Sequence, residues 1–219
     1  MKKKEKFFID GLQSTSIASF IGPLFSLPFI LPPTDSSFIF VDGGCHFFTE
    51  VKNSYLRSFP TFNFLKVGDQ DSYKGELDVV LEKTKNFSDL AYAFSLLPKN
   101  IEYISLQGFL GGRKDHELFN LGEAHHFLAS EQSHPNGSLS FENSFKAFSS
   151  GTHQINYQGP FSLFVLEQTS LQMIGDVMFP LPSPTPLKAL SSHGLSNIGQ
   201  GSFNIISEKP FFLYFPEEL

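Results

Sequence analysis

The chain has 219 residues, among them 27 Phe, no Trp and a single Cys, and its formal net charge is −6 at pH 7. That length supports one large or two small domains with real cores, and the acidic balance, with no cluster of Lys and Arg beyond Lys2-Lys3-Lys4, argues against nucleic acid as a partner. The lone Cys45 excludes an internal disulfide and a cysteine-based zinc cluster, and it fits a reducing, cytoplasmic compartment.

At the N-terminus the lysines precede an apolar stretch that is broken by Asp10, Gln13, Pro23 and Pro28 and followed by no small-residue cleavage site. It reads as part of the fold rather than as a secretory signal, and no apolar run approaches the roughly 20 residues of a membrane span, so no membrane partner is expected. Phe7 to Gly11 reads as a short buried strand ending in a turn, and Ser14 to Leu31 as a loosely defined helix and loop punctuated by Pro23, Pro28, Pro32 and Pro33. Phe38 to Val41 is a second buried strand. It runs into Asp42-Gly43-Gly44, where paired glycines let the backbone turn sharply and approach a ligand.

A third strand, Phe62 to Val67, breaks at Gly68 into Asp69-Gln70-Asp71-Ser72. On extended backbone residues i and i+2 point the same way, so the carboxylates of Asp69 and Asp71 face one spot, where a hard divalent ion such as Mg²⁺ would relieve their repulsion. A solvated turn capping the next helix is the plainer alternative for Asp-x-Asp. Ser88 is suited to cap a helix from Asp89 to about Leu97, stopped by Pro98. Ile101 to Leu106 is the fourth strand, followed by a glycine-rich loop from Gly108 to His116 and a helix to about Ser130. Strand, loop and helix repeated in this way predict an α/β domain with a mostly parallel sheet and helices on both faces. Asp42, the Asp69/Asp71 pair and the Gly108 loop each follow the carboxyl end of a strand, where such sheets bind ligands.

Beyond about Gly137 the pattern changes to short strand-like runs at 138–141, 153–157, 161–167, 171–174, 203–207 and 211–215, with the proline-rich stretch from Pro180 to Pro186 as a stiff connection. An all-β sandwich domain is expected here, dividing the chain into 1–142 and 143–219. Gly111-Gly112-Arg113 at a strand-to-helix junction offers backbone N–H groups and a guanidinium able to grip phosphate oxygens, in a pattern that is neither a Walker A loop nor a dinucleotide fingerprint.

Taken in order, Asp42-Gly43-Gly44, Gly68-Asp69-Gln70-Asp71-Ser72, Ser88-Asp89-Leu90, Gly111 to His116 with Asn120-Leu121, and Ser192 to Asn197 make the chain resemble the thiamine pyrophosphokinases from about residue 38 onward. The resemblance implies an α/β catalytic domain, a C-terminal β-sandwich, a homodimer with thiamine at the subunit interface, and transfer of a diphosphoryl group from ATP to the thiamine hydroxyl with release of AMP. By the same resemblance Asp69, Asp71 and Asp89 are the Mg²⁺-binding and hydroxyl-activating carboxylates, with Asp42, Gly43 and Gly44 beside them. Gly111, Gly112 and Arg113 are the triphosphate grip, Asp115 and His116 lie close to the nucleotide, and Ser196 and Asn197 contact thiamine.

Three positions depart from the family pattern: Asn86 stands where the family has Asp, His46 where it has Asn, and no tryptophan is present to stack on thiamine, leaving Phe or Tyr for that work. Another hydroxymethyl heterocycle such as a pterin is therefore an alternative acceptor, and a non-catalytic nucleotide-binding or thiamine-binding relative is an alternative class. His125 and His126, adjacent on a helix, point about 100° apart and read as structural or solvent-facing. Cys45 reads as a buried small hydrophobe. His193 reads equally well as a surface turn residue, and His46, two residues beyond the glycines, is a candidate ligand contact whose plainer reading is structural.

Overall fold

Local apolar character and helical spacing compete at the N-terminus, and spacing wins. The computed structural model describes residues 3–32, 34–142 and 144–216. In it, helix α1 (Lys3–Leu12) replaces the strand expected at Phe7 to Gly11. Phe8 and Leu12, one helical turn apart, are both buried, while Lys4 pairs with Asp78 at 2.6 Å and sits over the Phe64 ring. The next segment holds a strand, β1 (Ile17–Ile21), where a loose helix and loop were expected. All five of its residues are buried, so it shows no amphipathic period, as befits a strand covered on both sides.

The chain divides into compact units at residues 1–123 and 124–219. In the first, β1 is followed by β2 (Ser37–Val41), a 3-10 turn (Asp42–Phe47), α2 (Phe48–Tyr55), β3 (Phe64–Gly68), β4 (Val79–Val80), α3 (Asp89–Ser95) and β5 (Tyr103–Gln107). Helix α4 (Lys114–Ala129) then carries the chain across the division. The strands pair in the order β5-β1-β2-β3-β4, every pair parallel. Helix α3 starts as expected, with Ser88 Oγ accepting the Ala91 N–H at 2.9 Å. The many phenylalanines are used here: Phe38 meets Tyr55 of α2 edge-on at 4.7 Å and Phe62 at 5.0 Å, within a cluster that also holds Phe25, Phe29, Phe40 and Val51.

The second unit contains β6 (Ser138–Phe141), β7 (Phe145–Phe148), β8 (Gly151–Phe164), β9 (Thr169–Val177), β10 (Leu181–Leu187), β11 (Asn197–Ser207) and β12 (Phe211–Tyr214). They pair antiparallel in the order β10-β9-β11-β8-β12-β7-β6. The runs at 153–157 and 161–167 fuse into the 14-residue β8, which pairs with β11 along Gly151 to Phe161 and with β12 through Ser162 to Phe164. The proline-rich stretch is itself strand β10. It lies at the edge of the series and pairs with β9 alone, where missing N–H groups cost no second ladder.

These findings correct the expected fold class. Twelve strands and only four α-helices among the described residues make a mixed sheet, parallel in the first unit and antiparallel in the second. An α/β domain clad with helices on both faces, followed by an independent two-sheet sandwich, is not what forms. The physical reason is the length of β8: a strand that serves two neighbours in turn keeps the antiparallel strands in one hydrogen-bonded series. Its core gathers Phe161, Phe203, Phe211, Leu213 and Met173. No helix among the described residues is long and apolar enough to cross a membrane.

Candidate functional site

Parallel pairing puts the carboxyl ends of β1, β2, β3 and β5 on one edge of the first unit's sheet, and the chain leaves that edge through Gly22, Asp42, Asp69 and Gly108. From β1 the connections run outward through β2 and β3 to β4, whereas β5 lies on the other side of β1. The strand order therefore reverses between β1 and β5, which opens a crevice there. The loops crowd closely at this edge. A Cβ on Gly44 would stand 2.1 Å from the Ile21 carbonyl oxygen, and one on Gly22 2.5 Å from that of Gly108, so the 3-10 turn after β2 lies against the end of β1 only because no side chain intervenes.

The acidic residues meet beside this crevice. One ligand oxygen from each of Asp42, Asp69 and Asp71 falls within 4.8 Å of the others. Asp42 sits in the left-handed region at φ 50°, and its Oδ1 is buried with no hydrogen-bond partner. Burial pushes its carboxyl above the ordinary range, against a lowering hydrogen bond from Ser72. Asp69 Oδ1 accepts the Asp71 N–H at 3.1 Å, and Asp71 Oδ1 accepts the Ser72 hydroxyl at 2.9 Å, which fixes the turn between the two carboxylates. An orphaned buried oxygen facing two further carboxylates fits a hard divalent ion such as Mg²⁺.

Asp89 is held differently. Lys85 Nζ lies 2.9 Å from Asp69 Oδ2 and 2.9 Å from Asp89 Oδ1, and all three side chains are largely covered, at 10%, 13% and 14% exposure. The Lys85 hydrogen bond holds the Asp69 carboxyl below its ordinary value. Burial raises Asp89 in spite of the same lysine, and the charges of Asp69 and Asp71 add to the rise. For Lys85 burial opposes the charge, but the two carboxylates outweigh it and raise its pKa. Asp69 thus joins both groups, while Asp89 faces the lysine. Sequence reasoning gave Lys85 no role; its signal was its place at the head of the Lys85-Asn86-Phe87-Ser88-Asp89 run, four residues before Asp89.

The glycine-rich loop borders a pocket of about 140 Å³ lined by Pro23, Leu24, Gly108, Arg113, His116 and Asn120. This is the crevice between β1 and β5. Arg113 is 72% exposed, and its Nε donates to Asp115 at 3.1 Å, which brings the Asp115 carboxyl down to about 2. Asn120 Nδ2 donates to the Phe109 carbonyl at 2.7 Å and anchors the loop to α4. Gly111 and Gly112, both at positive φ, expose backbone on the same rim, and the Gly111 N–H is taken by Glu117. Gly43 links the two groups: a Cβ there would lie 3.0 Å from Pro23 Cβ and 3.7 Å from Ser72 Cβ.

Ser196 and Asn197 belong to the second unit and line a pocket of about 360 Å³ with Phe179, His193 and Met173. Phe179 is 59% exposed and supplies an aromatic wall. Asn197 is buried and spends its amide on the protein: Oδ1 accepts the N–H groups of Phe179 and Ile198 at 3.1 and 2.8 Å, and Nδ2 donates to the Phe179 carbonyl at 2.8 Å. Ser196 is exposed, at φ 60°.

The remaining residues singled out by sequence divide cleanly. His46 braces the acidic turn, its Nε2 3.2 Å from the Ser72 carbonyl and its ring edge-on to Tyr73 at 5.0 Å. Cys45 is buried, and burial pushes its thiol up to about 12. His125 is buried facing Glu167 at 3.4 Å. Asn86 is exposed.

No protein-family model matches the sequence, and no curated protein matches it. Solved structures do match in three dimensions. The thiamine pyrophosphokinase of Bacillus subtilis superposes with a TM-score of 0.65 at 16% identity, covering 92% of this chain and 100% of its own. That of Geobacillus thermodenitrificans gives 0.62 at 17%, covering 92% and 98%. That of Candida albicans gives 0.64 at 11%, covering 93% and 89%. The chain has the fold of thiamine pyrophosphokinases.

Proposed function

We propose that this chain is an ATP-dependent pyrophosphokinase that transfers a diphosphoryl group from ATP to the hydroxyl of thiamine, giving thiamine diphosphate and AMP. One observation carries the reading: on this fold, Asp42, Asp69 and Asp71 converge at the carboxyl edge of the parallel strands with a buried, unpartnered carboxylate oxygen among them. Phosphoryl transfer is mostly positioning and charge neutralisation, and the residues present can supply both. Bound Mg²⁺ would neutralise phosphate charge. Asp69 and Asp71 would hold it with Asp42, and Asp89 completes the acidic set across Lys85. Asp89, whose carboxyl burial raises, would take the proton of the acceptor hydroxyl. Arg113 would exchange Asp115 for phosphate oxygens, with the Gly111-Gly112 backbone and His116 on the same pocket rim. In the second unit Ser196 and Phe179 would contact thiamine, the ring serving its cationic thiazolium in the absence of tryptophan. The active species on this reading is a homodimer.

The test is AMP release from ATP and Mg²⁺ with thiamine as acceptor and a pterin alcohol in parallel. Thiamine-dependent AMP supports the proposal, and pterin-dependent AMP alone redirects it to another hydroxymethyl heterocycle. No AMP with either acceptor, together with activity created by Asn86→Asp, would identify a binding protein that has lost turnover.

A further inference from the structure

The acidic site carries its own cation. Four carboxylates, Asp42, Asp69, Asp71 and Asp89, share one small region, and among the described residues only Lys85 is ion-paired with any of them. Its side chain is 10% exposed, and its ammonium spans Asp69 Oδ2 and Asp89 Oδ1, each at 2.9 Å. An exposed lysine pair would contribute little; here a lysine whose side chain is largely covered has two partners, so moving it would leave two carboxylates without their shared cation. The bridge also divides the carboxylates by orientation. Asp69 is fixed from both sides, by the Asp71 N–H on Oδ1 and by Lys85 on Oδ2, whereas Asp42 Oδ1 has no partner at all.

Resting on the pyrophosphokinase reading, we propose that Lys85 is a positioning residue that spaces Asp69 from Asp89 and sets the strength of the divalent-ion site, so that the ion is held by the Asp42, Asp69 and Asp71 face while Asp89, paired with the lysine, is kept out of the ion's ligand set. A fixed positive charge beside the site weakens the binding of a divalent ion, which keeps affinity in the range where the ion enters with its nucleotide. At a separation of about 5 Å even solvent-like screening makes the repulsion between a unit charge and a divalent ion worth roughly a factor of ten in affinity.

Mn²⁺ binding to the ligand-free protein, followed by electron paramagnetic resonance or calorimetry, reads this independently of turnover. Lys85→Met should bind Mn²⁺ about tenfold more tightly than the parent, while its kcat for AMP release falls and its KM for thiamine stays near the parent value. Lys85→Arg, which keeps the charge, should bind Mn²⁺ like the parent. Unchanged or weaker Mn²⁺ binding in Lys85→Met overturns the proposal and makes the lysine a strut. Should Lys85→Met fail to fold, the parent still decides: Mg²⁺ must shift the Lys85 ammonium resonance in the ¹⁵N spectrum of lysine-labelled protein, and an unmoved resonance overturns the proposal. A parent that binds Mn²⁺ yet releases no AMP refutes the functional reading alone and leaves the Lys85 result standing.

Discussion

Replacing Asn197 by Ala distinguishes a substrate contact from a structural staple. The side chain is 6% exposed and makes three hydrogen bonds, two of them to the backbone of Phe179. Each is worth about 1 kcal/mol net, so losing all three should destabilise by roughly 3 kcal/mol. For a unit of about a hundred residues that lowers the melting temperature by on the order of 10 °C. Asn197→Asp should do no better, because an acceptor oxygen would then face the Phe179 carbonyl. Circular dichroism melting gives the magnitude, and amide exchange at Phe179 and Ile198 locates it. Thiamine KM should rise in step, since Phe179 lines the pocket that the staple shapes. A melting curve that superimposes on the parent's, combined with a raised KM, would refute the staple and return the amide to the substrate.

Asp71→Asn should lower AMP release by at least about a hundredfold while shifting stability by no more than about 0.5 kcal/mol, because Asp71 is exposed on a turn; paired melting and turnover measurements check both. Arg113→Lys should reduce kcat/KM for ATP by about tenfold or more without altering the melting curve, since lysine cannot reproduce a planar two-point grip. The second unit should lose stability in acid. Burial holds His125 and His153 below their unfolded value of 6.5, so as pH falls past it the unfolded chain takes up protons that the folded one refuses. Glu167 opposes the lowering at His125, while His126 and Lys209 add to it. A double His125→Gln, His153→Gln variant should show a flatter dependence of melting temperature on pH, and an unchanged slope would dismiss both histidines.

The fold was legible in the sequence where periodicity or capping chemistry was unambiguous. Ser88 starting α3 and the apolar run of β2 are examples. Misreading concentrated where two physical signals compete within a few residues. At Phe8 and Leu12 a helical repeat hides inside a locally β-like run, and in β1 complete burial removes the alternation that marks a strand. The proline-rich β10 is the opposite case. Proline argues against a strand in general, yet an edge strand with its unpaired side outward tolerates it. That the second unit's strands stay in one series depends on how far β8 extends before changing partners, and no local pattern records that length.

The site divides in the same way. Asp69 and Asp71 do come together, but not on extended backbone: β3 ends at Gly68, Gln70 takes φ 64°, and the turn hydrogen bonds hold the two carboxylates. What local spacing cannot supply is the charge that arrives from elsewhere in the chain: Asp42 comes from the neighbouring strand and Lys85 from a loop sixteen residues beyond Asp69. This changes the meaning of Asn86. As a missing carboxylate in a metal site its loss would be severe. In the structure the residue is exposed beside a lysine that already answers two carboxylates, so a charge at position 86 would act largely through solvent and be screened, contributing no more than about 1 kcal/mol. On the proposed reading, the departure from the family pattern would therefore weigh on the strength of the ion site through Lys85 and leave the Asp42, Asp69 and Asp71 cluster intact.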